Sequence, residues 1–234
     1  NEYKANDTLT ANIYTYTEAY SRKTLIEHFT TLKCINCPLG HDVLNALVNG
    51  RKDYVWVAHH IGYQTDELTE QTSYSLQKFG AQAAPMGMFD RRMLGNNDYA
   101  GQPAFSLLKG GSGSIVAPNL KVLQPYFNIA TSTPAFVSVN IENHSDPATR
   151  QLTTTVSGER NKIFTTFYDR SCLTVELIED KVQTKAGQVG SGEKVHNHVY
   201  RDAITRITGD SINWTGDTYT ETYTYTIPKT WNAK

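Results

Sequence analysis

The stretch RKTLIEHFTTLKCINCP, residues 22–38, decides how the chain folds. Thr24 to Phe29 is rich in apolar and β-branched residues and reads as a strand. A short polar turn follows, and then Cys34 and Cys37 in C-x-x-C spacing. Beyond them Leu39, Val43, Leu44, Leu47 and Val48 recur with the period of a helix, over about 36–49. That order sets Cys34 at a helix N-terminus, where unsatisfied N–H groups and the helix dipole favour a thiolate. A thiol so placed can fall from a pKa of about 8.5 towards roughly 3.5–7.5. Cys37 is placed to close a small disulfide with it. C-x-x-C is also half of a zinc site, but Cys172 and the histidines supply no second pair at a partner spacing. The setting favours a redox dithiol, and a static structural disulfide is the alternative.

The rest of the chain bounds the function. With 22 basic and 23 acidic residues, net charge −1, it lacks the electrostatics of a nucleic-acid binder. No apolar run approaches the roughly 20 residues of a membrane helix. The start at Asn1-Glu2-Tyr3 carries no signal peptide, which is compatible with a leader already removed. Abundant tyrosine, 14 against 8 phenylalanines, suits half-buried strands with a wet outer face.

Residues 1–12 read as a tether and 13–20 as a strand. After the first helix, Asn49-Gly50 is a stop signal. Tyr54 to Ala58 is nearly continuous in apolar residues, as in a parallel strand covered on both faces. His59 and His60 end it, and alternation allows at most one of them to face the dithiol. A second helix is expected over 65–79, with Gly80 ending it. Pro85 then heads a short apolar strand. Residues 95–119 are a Gly-, Asn- and Ser-rich loop, and no Gly-Lys-Ser/Thr makes it a phosphate cradle. A last helix, about 119–130, contains Pro125 and should kink or break there.

From Thr131-Ser-Thr-Pro134 onward only period-two segments appear, at 136–141, 151–157, 163–168, 172–179, 198–208 and 218–227. The clearest is TYTETYTYTI, residues 218–227, with Tyr219, Tyr223, Tyr225 and Ile227 on one face and threonines on the other. The expected architecture is therefore an α/β domain over 1–131 followed by an all-β domain over 132–234, an antiparallel sandwich.

With those residues in view, the N-terminal part resembles a thioredoxin-like domain, through strand–C-x-x-C–helix and the later Ala84-Pro85. More specifically, the chain resembles the outer-membrane-protein-28 family of bacterial envelope lipoproteins. The similarity lies at Leu25 to Pro38, at Val57-Ala-His-His-Ile-Gly62, in the Pro-x-Gly-x-x-x-Arg pattern of Pro85 to Arg91, and at His196-Asn-His-Val-Tyr-Arg201. The resemblance implies a thioredoxin-like domain followed by an immunoglobulin-like β-sandwich. It also implies location in the cell envelope at the outer membrane, with membrane attachment only through a lipid anchor upstream of this chain. It implies a cis-proline at Pro85 packed against the dithiol. Against thioredoxin itself, Lys33 replaces the tryptophan before the first cysteine, Ile35-Asn36 replaces Gly-Pro, and His28 stands where a buried carboxylate is usual, with Glu27 beside it.

Four residues form the expected site: Cys34 attacks a substrate disulfide, Cys37 resolves the mixed disulfide, His28 accepts a proton beneath Cys37, and Pro85 presents backbone to a bound peptide. Cys34 should be exposed and Cys37 buried. Partners would be protein thiols or disulfides, and no cofactor or metal is called for. His196 and His198 should share one side of a strand without a third ligand. Cys172 should be a free thiol in a packing role. The family usually continues into a further apolar strand beyond Trp231-Asn232, so an open sheet edge near the C-terminus, paired between molecules or blunted by Thr and Lys, is expected.

Overall fold

The computed structural model describes residues 15–94, 101–109, 117–168 and 170–231. The expected tether at 1–12, the start of the strand at 13–20 and most of the loop at 95–119 lie outside the described residues. Residues 15–19 form no strand, and Tyr20 makes a single antiparallel bridge with Ala135.

Strand β1 (Thr24–Thr30) leads through a tight turn to helix α1 (Cys37–Val48), which returns the chain to β2 (Tyr54–His60), parallel to β1. Pro38 opens α1, where its missing N–H costs no hydrogen bond, and Gly50 follows at φ 74°. Val43, Leu44, Leu47 and Val48 give α1 its buried face, one or two to each turn. Residues 71–79 then form a 3₁₀ helix ended by Gly80, shorter than the helix expected over 65–79. Asp66 accounts for the difference: its carboxylate accepts the N–H groups of Leu32 and Leu68, which fixes a turn where a helix start was read. Strand β3 (Met86–Phe89) runs antiparallel to β1, and β4 (Phe105–Ser106) pairs with β3. The short ladder β5 (Leu108–Lys109) with β6 (Ala117–Pro118) precedes helix α2 (Leu120–Ser132), which continues through Pro125 instead of breaking there.

The sheet is buried on both faces. Ile26, Trp56 and Phe89 pack with Val43, Leu44 and Leu47 of α1 and with Leu123 and Phe127 of α2. Phe29, Val57, Met86 and Met88 pack on the other face with Leu76 and Tyr200. Each such side chain contributes about 1.5–3 kcal/mol when fully buried.

Beyond 132 come β7 (Asn140–Asp146), β8 (Gln151–Glu159), the one-turn helix α3 (Phe164–Phe167), β9 (Cys172–Leu173) and β10 (Glu176–Glu179). They are followed by β11 (Val182–Gln183), β12 (Val195–His196), β13 (Val199–Ala203), β14 (Asp210–Ser211) and β15 (Thr218–Thr226). Strands β15, β8 and β7 make one antiparallel sheet, and the β9–β14 ladder packs on it through Leu173, Val156 and Tyr219. The odd-numbered tyrosines of β15 do turn inward. The strand expected at 163–168 is helix α3, because Asn161 caps the turn backbone-to-backbone and Phe164 packs near Trp214, 5.9 Å between ring centres.

The division expected at 131/132 falls at the end of α2, yet the hydrogen bonding does not stop there. Strand β13 pairs parallel with β2 and β10 pairs with β13, so the first sheet has the order β10-β13-β2-β1-β3-β4. The architecture is mixed α/β, mostly sheet, with two strands returned from the second half to the first.

Candidate functional site

Cys34 and Cys37 are joined by a disulfide, with Cα atoms 5.4 Å apart. Helix α1 begins at Cys37, so Cys34 stands in the turn before it, its N–H donating to the Thr31 carbonyl and its own carbonyl accepting from Cys37. Cys34 Sγ lies 3.6 Å from the Ala84 carbonyl oxygen. The Ala84–Pro85 bond is cis. Pro85 rests on the first turn of α1 at Gly40, where a Cβ would come within 2.5 Å of the proline ring. Sites 50 residues apart in the chain thus meet at one point.

Exposure departs from expectation. Cys34 is 5% exposed and Cys37 2%, so both cysteines are buried instead of one. The turn around Cys34 is covered by the loop between β11 and β12. Gln188 donates its side-chain amide to the carbonyls of Thr31, Leu32 and Cys34, the last at 2.9 Å. Nothing local in the sequence distinguishes Gln188, whose glycine-rich surroundings say loop but not where the loop lands.

Behind Cys37 lies a cavity of about 220 Å³ lined by His28, His41, His60 and His196 among others. His28 comes from β1 and is fully buried, and neither ring nitrogen has a hydrogen-bond partner among the described residues. Burial holds its pKa well below the usual histidine value, and His41 and His60 add repulsion of the charged form. His28 is therefore held in its neutral form, with both ring nitrogens open to a hydrogen bond at the cavity. His60 points the same way, its Nδ1 2.9 Å from Asp66 Oδ2. Burial opposes ionisation of Asp66, but hydrogen bonds from His60, Leu32 and Leu68 hold its pKa low.

His59 faces the opposite side, as alternation requires. Its Nδ1 meets Ser73 Oγ at 2.9 Å, and its ring lies 4.6 Å from that of Tyr200. Here the sequence reading missed a charged cluster. The Arg91 guanidinium joins the buried carboxylate of Glu27 to the half-buried one of Glu176, with His59 Nε2 3.4 Å from Glu27. The donor atoms of Glu27, His59 and Glu176 all lie within 4.8 Å of one another, and the Arg91 guanidinium pairs with both carboxylates. Burial would raise Glu27, but His59 and Arg91 hold it below the usual carboxylate value. Burial, with Glu27 nearby, raises Glu176.

His196 and His198 do not share a side. His198 takes φ 59°, which breaks the alternation, and stacks on Trp56, while His196 turns to His60. Cys172 is free, but it is exposed instead of packed. No helix among the described residues is long and apolar enough to cross a membrane.

The family model described as outer membrane protein Omp28 matches residues 72–234, well over half of the chain. The matched span takes in Pro85, Arg91 and Gln188 and begins after the two cysteines. No curated protein matches the sequence. Among solved structures, HBP35 of Porphyromonas gingivalis shares the fold at 18% identity and a TM-score of 0.67, over 90% of this chain and 66% of that one. The chain thus spans just under two thirds of that protein. A protein from Agrobacterium tumefaciens aligns at 14% identity and a TM-score of 0.44, over 89% of this chain and 80% of its own. The family match carries the assignment: the chain belongs to the Omp28 outer membrane protein family.

Proposed function

We propose that this member of the Omp28 family is a cell-envelope thiol–disulfide oxidoreductase. In this reading residues 1–131 are a thioredoxin-like domain and 132–234 an immunoglobulin-like β-sandwich that lends β10 and β13 to the first sheet. A lipid anchor upstream of the chain holds it at the outer membrane. The observation that carries the reading is the disulfide between the β1 turn and the start of α1, with Cys34 against Ala84 and a histidine-lined cavity behind Cys37.

In the oxidising direction, a substrate thiolate attacks Cys34 Sγ. A substrate–Cys34 disulfide forms, the Cys34–Cys37 bond breaks, and the electron pair leaves on Cys37. A second substrate thiolate then attacks the substrate sulfur and expels Cys34 as thiolate. The substrate ends oxidised to a disulfide and the protein reduced to a dithiol, to be reoxidised by another disulfide. His28, neutral at the cavity and with both ring nitrogens free of a partner among the described residues, offers a hydrogen bond to the Cys37 sulfur, and its burial weakens it as a proton acceptor. Pro85 seats the Ala84 carbonyl beside Cys34.

A second reading has its own support. The burial of both cysteines favours a stable disulfide in a binding scaffold that catalyses nothing. Trapping separates the two. Cys37→Ala, with the exposed Cys172 replaced by Ser, is incubated with envelope extract. Reductant-sensitive mixed disulfides through Cys34 support the enzyme. Their absence, together with a reduction potential below about −300 mV, overturns it in favour of the scaffold.

A further inference from the structure

We infer that residues 186–193 are a lid over a polypeptide-binding edge, and that the lid must lift before the Cys34–Cys37 pair meets a protein substrate. The inference rests on the oxidoreductase reading and adds what the site recognises: an extended backbone segment beside a substrate cysteine.

The turn from Thr31 to Cys34 presents a row of backbone carbonyls. In the structure these acceptors are taken by the chain itself. The Val189 N–H donates to the Leu32 carbonyl at 2.8 Å, a bond that any extended polypeptide could make in its place. The Gln188 amide nitrogen, on a side chain that is itself buried, spreads over the carbonyls of Thr31, Leu32 and Cys34 at 3.1, 3.3 and 2.9 Å. The Val189 carbonyl, at 3.2 Å, is a fourth acceptor; a single NH₂ has two hydrogens, so four acceptors share them, and each bond is weaker than a dedicated one. Gly190 then passes close enough to the turn that a Cβ would stand 2.7 Å from the Ile35 carbonyl oxygen.

The lid has a fixed base and a pliable tip. At the base, the Thr184 N–H donates to the Lys194 carbonyl, and Glu67 Oε1 accepts from the N–H groups of Lys185 and Ala186 at 2.8 and 3.1 Å. At the tip, Gly190 and Gly192 take φ of 96° and 76°, conformations open to glycine and costly for other residues. Few apolar side chains bury themselves there, and Val189 stays exposed. A segment held mainly by backbone and amide hydrogen bonds belongs to the parts of a protein that open locally. The acceptors it releases are satisfied by water or by an incoming chain, so opening leaves no orphaned group.

The test follows reduction of the oxidised full chain by dithiothreitol, together with hydrogen exchange at the Val189 amide. If opening precedes reduction, both rates scale with the open population. Gln188→Ala should raise both by about fivefold, the effect of roughly one lost hydrogen bond. Glu67→Ala loosens the base without touching the dithiol turn and should raise both in the same ratio. Exchange at the β2 amides should stay at its wild-type rate, which reports that the fold is intact. Faster Val189 exchange with an unchanged reduction rate in Glu67→Ala would overturn the lid. Failure of mixed-disulfide trapping alongside coupled rates would count against the oxidoreductase reading instead.

Discussion

The guanidinium of Arg91 grips both oxygens of the fully buried Glu27 carboxylate, Nε to Oε2 at 2.9 Å and Nη2 to Oε1 at 2.6 Å. The same group reaches Glu176 on β10 and the Ile207 carbonyl. One cation therefore ties the central strand β1 to a strand and a turn that come from the second half of the chain. Removing one partner of a buried pair leaves the other charge uncompensated, at a cost of about 3–5 kcal/mol. Arg91→Met should lower the unfolding free energy by about that much in urea titration, and adding Glu27→Gln should restore part of it. An Arg91→Met loss below about 1 kcal/mol would mean that Glu27 is not ionised in the folded protein.

His28 should make stability fall in mild acid. Its folded pKa is depressed by burial, so above the unfolded value of about 6.5 the ring is neutral in both states and costs nothing. Below that value the unfolded chain binds a proton that the folded chain refuses. Stability then declines by up to about 1.4 kcal/mol per pH unit until the folded pKa is reached. Urea midpoints at pH 7.5, 6.5 and 5.5 measure the slope. His28→Asn should flatten it by about one proton, and an equal slope in both proteins would show that the ring is solvated in the folded state.

Much of this was legible because it is local. The alternation around Thr24 to Phe29, the helical recurrence of Val43, Leu44 and Leu47, and the odd-numbered tyrosines of β15 each express one element burying one face. What escaped depends on residues that meet from far apart. Glu27 sits within an apolar strand, and its partner Arg91 is 64 residues away. Gln188 is more than 150 residues from the cysteine turn it covers, so the burial of Cys34 could not be foreseen from the turn. Periodicity also misled over 163–168, where an apolar–polar rhythm fits a strand as readily as the single turn that seats Phe164 near Trp214.

Gly40 reverses a usual rule. In an ordinary helix interior, Gly→Ala stabilises by up to about 1 kcal/mol. Here the added Cβ would come 2.5 Å from Pro85 Cβ and 3.3 Å from Leu107 Cδ1, below contact distance for the first. Pro85 must move, and with it the Ala84 carbonyl that faces Cys34. Gly40→Ala should cost about 1–3 kcal/mol by overpacking. A melting temperature that rises would show that the proline ring has room to retreat.

Among the described residues the three-stranded sheet β15-β8-β7 has two outer strands, and β7 is the one we expect to pair with a second copy. Six of its seven residues, Asn140 to Ser145, are exposed, and Val139 and Ile141 stay open on the inward face at 60% and 58%. An exposed edge is a template for another strand unless its side chains forbid it. Here the side chains are self-complementary. Antiparallel pairing of β7 with its copy, centred on Asn143, sets Glu142 opposite His144 and His144 opposite Glu142. It also sets Asn140 opposite Asp146 and Ile141 opposite Ser145. Each favourable cross-strand pair contributes about 0.2–1 kcal/mol, and symmetry counts the Glu–His pair twice. Sedimentation should therefore show a weak dimer that Glu142→Arg and His144→Glu each loosen by up to about tenfold. The double exchange places opposite charges across the same register and should recover the dimer. If the double variant is as weak as either single one, or all four proteins are monomeric at millimolar concentration, the strand is not paired in this register.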